Sequence, residues 1–171
     1  FDKDLGDVKA FDAICIGEGD LSVVDFVNQY NYGKGLLPLS NFIVKAENGE
    51  QLKGDLLDLV EPLDKLPFPD RSIIYDKDDF LRNCKIKMFM SGRGCPYQCT
   101  YCFNHKYNKM YRGKGHIIRH KSVDYFLEEI CKIKKDNPME GIIFEDDIFI
   151  INKEWLAEFA EKYPKRVGLP Y

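Results

Sequence analysis

Three cysteines within eight residues, Cys95, Cys99 and Cys102 in the string GCPYQCTYCF, constrain this chain more than any other feature. Thiolates this close in sequence can converge on one inorganic centre if the loop between them wraps around it. Gly92 and Gly94 permit so tight a backbone path, and Pro96 restricts it. Three thiols rather than four is informative in itself. An iron–sulfur cube ordinarily takes four thiolates, so a cube held by three keeps one iron open to a small molecule. Two other readings of the same residues stay open: a structural zinc site with His105 as fourth ligand, giving a Cys₃His module for nucleic-acid or protein interaction, and three unrelated cysteines. Six cysteines with no signal peptide at the start of the chain argue for a reducing, cytoplasmic setting and for metal or redox chemistry rather than a disulfide scaffold. Cys15 and Cys131 fall in apolar stretches and read as small core residues. Cys84 has no evident partner.

The rest of the chain supplies the frame. Its 171 residues suggest about one domain, and 44% hydrophobic residues are enough for a core. No apolar run approaches the ~18 residues of a membrane span. The chain has no initiator Met and stops in RVGLPY, where an apolar strand begins; it reads as an internal piece of a longer protein. Phe11 to Ile16 predicts a buried strand ending at Gly17-Glu18-Gly19. Asp20 can cap a helix whose apolar face is Leu21, Val24, Val27 and Tyr30, ended by a Gly-rich stretch from Asn31 to Gly35. Asn48-Gly49 between Phe42–Val44 and Gln51–Leu52 signals a hairpin. From 54 to 85, Pro62, Pro67 and Pro69 interrupt Leu63, Leu66 and Phe68, which predicts a stiff connector that packs down.

Beyond the connector the pattern alternates. Ile86 to Met90 predicts a buried strand, followed by the cysteine loop. Ser122 can cap a helix with Val123, Phe126, Leu127, Ile130 and Cys131 on one face, stopped by Asn137-Pro138. Gly141 to Phe144 predicts a strand running into Glu145-Asp146-Asp147. Asn152 can cap a helix striped by Trp155, Leu156, Phe159, Ala160 and Tyr163, and Val167 to Leu169 begins a third strand. Strand, helix, strand, helix, strand is the order of a parallel sheet with helical crossovers, an α/β fold.

Net charge is -3, but residues 82 to 121 hold ten Lys or Arg and no Asp or Glu, leaving 15 basic and 28 acidic residues elsewhere. The run is Arg82, Lys85, Lys87, Arg93, Lys106, Lys109, Arg112, Lys114, Arg119 and Lys121. Three readings suit it: an anionic substrate, balance of the charge on cluster thiolates, or a solvated loop offset by the acidic remainder, the last being the plainest. Nucleic acid is a minor reading.

The motif Cys95-x-x-x-Cys99-x-x-Cys102, with Tyr101 before the last cysteine, resembles the signature of the radical S-adenosylmethionine enzymes. The string SGRGCPYQCTYCF is similar to the branch that carries a cobalamin-binding domain ahead of the radical domain. IGEGD at 16–20, LDKLPFPDRS at 63–72 and IIFEDDIFI at 142–150 resemble, in order, the end of that domain, the connector, and the second barrel strand with its loop. The resemblance implies the end of a Rossmann-like cobalamin-binding domain over 1–53, a Pro-rich connector over 54–85, and the first part of a (β/α) partial TIM barrel over 86–171. It further implies that Cys95, Cys99 and Cys102 hold a [4Fe-4S] cluster whose open iron is chelated by S-adenosylmethionine. Reductive cleavage by one electron from an external donor then gives a 5'-deoxyadenosyl radical acting on a substrate the sequence does not name, with cobalamin-assisted methyl transfer, a transferase reaction, as one outcome. Tyr101, with Phe103 nearby, would lie against the adenine, and the acidic group would receive the cofactor's ammonium. Asp146 and Asp147 are favoured there by resemblance, with Glu145 as the alternate; strand alternation sets Glu145 and Asp147 on one side and Asp146 on the other. The alternative for the group is a solvated acidic turn. Cobalamin would belong to the full-length protein only, since no His precedes His105. A methylthio-transferring relative would need three more N-terminal cysteines, and only Cys15 is there.

Overall fold

A computed structural model describes residues 11–31, 39–45, 48 and 50–171. The Gly-rich end expected for the first helix and Gly49 of the hairpin turn lie outside the described residues. In chain order the elements are β1 (Ala13–Cys15), α1 (Ser22–Asn31), β2 (Phe42–Lys45), β3 (Gln51–Lys53), a 3₁₀ turn at Leu63–Lys65, α2 (Ser72–Tyr75), α3 (Asp79–Asn83), β4 (Ile86–Phe89), β5 (Gly92–Arg93), α4 (Asn104–Met110), β6 (Arg119–His120), α5 (Val123–Asp136), β7 (Gly141–Phe144) and α6 (Lys153–Arg166). They form two units, one of Phe1–Leu59 with Lys106–Gly115 and one of Val60–His105 with His116–Tyr171.

In the first unit β1, β2 and β3 make an antiparallel sheet in that order, and Val44 sits between Ala13 and Leu52. The two segments flanking Asn48 pair as the hairpin signal predicts. Phe42 and Val44 are buried with Leu39, and Phe26 of α1 stacks on Phe42 at 4.8 Å between centroids. The inward side of α1 is therefore Ser22 and Phe26, one helical turn apart. This corrects the sequence expectation: Leu21, Val24, Val27 and Tyr30 are exposed, and so is Cys15, expected in the core. Amphipathic spacing identifies a stripe but not what meets it, and one stacked aromatic pair sets the helix orientation here. The Gly17–Gly19 turn is held by Tyr107 of α4 and by Tyr111 just beyond its end. The Tyr111 hydroxyl accepts from the Glu18 N–H at 2.8 Å, and the Tyr107 hydroxyl donates to the Glu18 carboxylate at 3.1 Å. A Cβ on Gly17 would lie 2.0 Å from the Tyr111 hydroxyl oxygen, so only glycine lets the ring in.

In the second unit β4 and β7 pair in parallel, Ile86 with Gly141 through Phe89 with Phe144, joined by α5 as the crossover. The N-caps foreseen from sequence form: Ser122 Oγ accepts from the Tyr125 N–H and Asn152 Oδ1 from the Trp155 N–H. One side of the sheet, with Phe89 and Ile142, packs on Val123, Phe126, Leu127 and Ile130 of α5 and on Trp155, Phe159 and Tyr163 of α6. Ala160, expected in that stripe, is exposed. Cys131 packs half-buried against the same core. The connector packs down as expected at Leu63, which is buried, and at Phe68, whose ring lies 4.5 Å from that of Tyr125.

Two strand expectations are corrected. β4 alternates rather than being buried throughout: Lys87 and Phe89 are each 2% exposed, while Ile86 and Met88 are 52% and 56% exposed. Lys87 survives burial because its ammonium donates to the Leu81 and Arg82 carbonyls, both at 2.8 Å, and lies over the Tyr75 ring. Those carbonyls belong to the last turn of α3, where helix geometry leaves acceptors unpaired. Residues 167–171 do not form a strand. Pro170 has no N–H to donate, and its carbonyl accepts a single bond from the Ile142 N–H at 3.0 Å.

Candidate functional site

β4 and β7 run in the same direction, so the chain leaves both at one end of the sheet. From β4 it passes through Met90 and Ser91 into the cysteine loop; from β7 it passes into Glu145-Asp146-Asp147. The Glu145 N–H continues the ladder to the Phe89 carbonyl at 2.8 Å, which fixes the acidic turn beside the start of the loop.

The loop is gripped at its entrance. Gly92 and Arg93 pair antiparallel with His120 and Arg119, and the Lys121 N–H donates to the Ser91 carbonyl at 2.8 Å. A Cβ on Gly92 would fall 2.7 Å from the His120 ring and 2.8 Å from the Arg119 carbonyl oxygen. Gly94 has φ +93, and a Cβ there would lie 2.0 Å from the Ile117 carbonyl oxygen. Neither this short ladder nor α4 was expected from sequence; two-residue strands carry no periodicity to read. Beyond Gly94 the loop opens to solvent, with Tyr101 91% exposed and Tyr97 and Phe103 exposed too.

None of the three thiols is in a disulfide; Cys95 and Cys102 are half-buried while Cys99 is exposed. A turn bond from the Cys102 N–H to the Cys99 carbonyl (3.0 Å) joins the second and third, and Cys102 Sγ accepts from the Asn104 N–H at 3.5 Å. Convergence of all three sulfurs is not what the structure holds. Among the described residues no three His, Cys, Asp or Glu side chains gather at metal-binding separations, so neither the cysteine trio nor the Cys₃His set is assembled. The backbone holds the loop at Gly92–Gly94 and at the Cys99–Cys102 turn. The donor chemistry nevertheless fits an iron–sulfur cluster: three unoxidised thiols, on one open loop, at the carboxyl end of a parallel strand.

The three acidic residues separate. Asp146 turns both carboxylate oxygens onto the loop entrance, Oδ1 accepting from the Ser91 hydroxyl (2.7 Å) and the Gly92 N–H (2.6 Å) and Oδ2 from the Ser91 N–H (3.1 Å). Glu145 and Asp147 are exposed. Glu145 borders a hollow of about 220 Å³ with Arg71, Met88, Met90, Lys121 and Glu129. Under this hollow lies an ionic network that sequence reading missed. Glu129 of α5 is buried and pairs with Lys121, while Arg71 donates to the Met88 carbonyl at 2.7 Å and lies over the Phe89 ring. A buried Glu in a run of Glu and Lys has no local sequence signal.

About half of the basic run is engaged by partners within the fold, while Arg82, Lys106, Lys109 and Arg112 are exposed. Lys87, Lys114 and Arg119 donate to backbone carbonyls, of Leu81 and Arg82, of Leu56, and of Val60 respectively. Lys85 pairs with Glu140 and Lys121 with Glu129.

His120 packs its ring on Trp155 at 5.4 Å. Burial pushes its pKa below the ordinary histidine value, partly opposed by the Asp146 carboxylate. An unfolded His120 takes up its proton near pH 6.5, whereas the folded one resists it. Stability from this group is therefore complete above that pH and is lost as pH falls through the depressed folded value. The expected result is a urea midpoint that drops between pH 7.5 and 5.5, with a smaller drop in His120→Gln.

No protein-family model matches the chain. It is 26% identical over 167 residues to the anaerobic magnesium-protoporphyrin IX monomethyl ester cyclase of Rubrivivax gelatinosus, covering 95% of this chain and 29% of that protein. It is 27% identical to the enzyme of the same name from Cereibacter sphaeroides, covering 99% and 27%. The chain thus spans under a third of the curated relatives it matches. Among solved structures it superposes on the cobalamin-dependent S-adenosylmethionine radical enzyme OxsB with TM-score 0.66 and 23% identity, over 91% of this chain and 21% of that one. It superposes on the radical S-adenosylmethionine methyltransferase TsrM of Kitasatospora setae with TM-score 0.60 and 13% identity, over 92% and 30%. The mixed α/β fold is that of part of these enzymes. The chain is a distant homologue of the cobalamin-binding radical S-adenosylmethionine enzymes over most of its length. No helix among the described residues is long and apolar enough to cross a membrane.

Proposed function

We infer that this chain carries the cluster-bearing first part of a radical S-adenosylmethionine enzyme, with Cys95, Cys99 and Cys102 as the ligands of a [4Fe-4S] cluster. The observation that carries the reading is the meeting, at one end of a parallel strand pair, of a three-thiol loop and an acidic turn. When bound, the cluster supplies the electron that cleaves the sulfonium of S-adenosylmethionine, drawn from an external one-electron donor. Glu145 is the carboxylate best disposed to take the cofactor's ammonium: it is exposed, at the end of β7, beside Met88 and Met90. Asp147 is the second choice. Asp146, favoured by resemblance, has its oxygens engaged at Ser91 and Gly92. Tyr101 and Phe103 offer exposed rings for a base to stack on. The domain division at 53 and 85, a barrel beyond these strands, and cobalamin in the full-length protein belong to the same reading. The substrate is not assigned; the basic run, about half engaged within the fold, does not by itself select an anionic one.

Anaerobic reconstitution with ferrous iron and sulfide tests this. The chain is expected to take up about four iron and four sulfide with broad absorbance near ~400 nm, and Cys99→Ala to take up almost none. About one zinc per chain, with no bound sulfide and dependence on His105, would establish the Cys₃His module instead.

A further inference from the structure

Resting on that reading, we propose that Asp146 is a positioning residue for cluster assembly: it fixes the entrance of the cysteine loop and does not hold the nucleotide cofactor. Three donors from two adjacent residues converge on its carboxylate, the Ser91 hydroxyl and the Ser91 and Gly92 amides, all within 3.1 Å. Ser91 is fully buried and is the node where three segments meet. Its N–H and hydroxyl go to the turn after β7, and its carbonyl takes the Lys121 N–H from the returning arm of the loop. That arm is held in turn by the Trp155 indole N–H, which donates to the Lys121 carbonyl at 2.7 Å. Gly92 lies three residues before Cys95. The direction in which the first thiol leaves the sheet is therefore set by the bonds to Asp146 and by the close contact at Gly94.

Charge sharpens the assignment. A carboxylate is an acceptor only, and it matches three donors with no donor of its own to misplace. Asparagine keeps one acceptor oxygen, able to serve the Ser91 hydroxyl and the Gly92 amide, but turns an NH₂ toward the Ser91 N–H. Residues that orient ligand-bearing segments typically change metal affinity by about 10–100-fold when lost. Asp146 acts through the backbone that carries the ligands and touches none of the reacting atoms.

The experiment pairs two measurements on the 171-residue chain and its D146A, D146N and S91A variants: amide hydrogen exchange at Ser91 and Gly92 without metal, and iron and sulfide uptake under limiting iron. D146A is expected to exchange at these amides, and to demand iron for half-loading, about tenfold above wild type, with D146N between the two. D146N and S91A are expected to lose loading while their melting temperatures stay near wild type, a split that a merely structural residue would not give. Wild-type loading in D146N and S91A, or loading that falls only in step with melting temperature, overturns the proposal; these two variants decide if D146A does not fold. If wild type itself takes up no cluster, the iron–sulfur reading fails. The exchange measurement then still decides the anchor: unchanged exchange in D146A removes it, faster exchange at Ser91 and Gly92 sustains it.

Discussion

Gly94→Ala is expected to abolish iron–sulfur uptake and to destabilise the second unit by about 2–4 kcal/mol. Two costs combine. The residue sits at φ +93, where a side chain is strained by roughly 1–2 kcal/mol. Its new Cβ would also stand 2.0 Å from the Ile117 carbonyl oxygen, well inside contact distance and against backbone rather than a side-chain tip. One arm of the loop must move, and the Gly92–Arg93 pairing with Arg119–His120 opens. Gly113→Ala is the control, since it has φ +80 but nothing within 4 Å of the added atom. It should cost only the backbone strain and leave iron uptake intact. Chemical denaturation and sulfide assay of both variants check the pair.

Phe126→Ala is expected to remove about 3–5 kcal/mol, enough to unfold most of the second unit at ambient temperature. Phe126 is fully buried, and its ring lies 5.7–6.4 Å from those of Phe89, Phe144, Trp155 and Phe159. It thus joins both strands to both long helices, and no neighbour can move into the space without breaking another aromatic contact. The expected observation is loss of near-ultraviolet circular dichroism and of a cooperative melt. Phe126→Leu should recover most of both, since it restores much of the volume.

The parts legible in the sequence were those governed by local rules. Ser122 and Asn152 announce their helices because a cap is a three-residue interaction. Trp155, Phe159 and Tyr163 mark the buried stripe of α6 because one turn returns a side chain to the same face. The cysteine spacing pointed to the loop before any fold was known. What stayed hidden depends on partners far along the chain. Asp146 meets Ser91 and Gly92 more than fifty residues away, so its role differs from that of Glu145 and Asp147 although the three look alike in a string. Ile86 and Met88 read as core but are exposed, while Lys87 between them is buried. Hydrophobicity alone could not show this inversion, because the ammonium is accommodated by helix-end carbonyls and a tyrosine ring. The expected meeting of the three sulfurs is likewise absent from the structure, since spacing tells which thiols share a loop but not how their side chains turn.

The engagement of Lys87, Lys114 and Arg119 with main-chain carbonyls has a practical corollary. A cation bound to a neutral carbonyl keeps its charge, but its donors are committed and its position is fixed, so it cannot close on an outside anion. A resin of immobilised sulfate or phosphate groups should therefore retain this chain less than a count of arginines and lysines between 82 and 121 suggests, and moderate salt should release what is held.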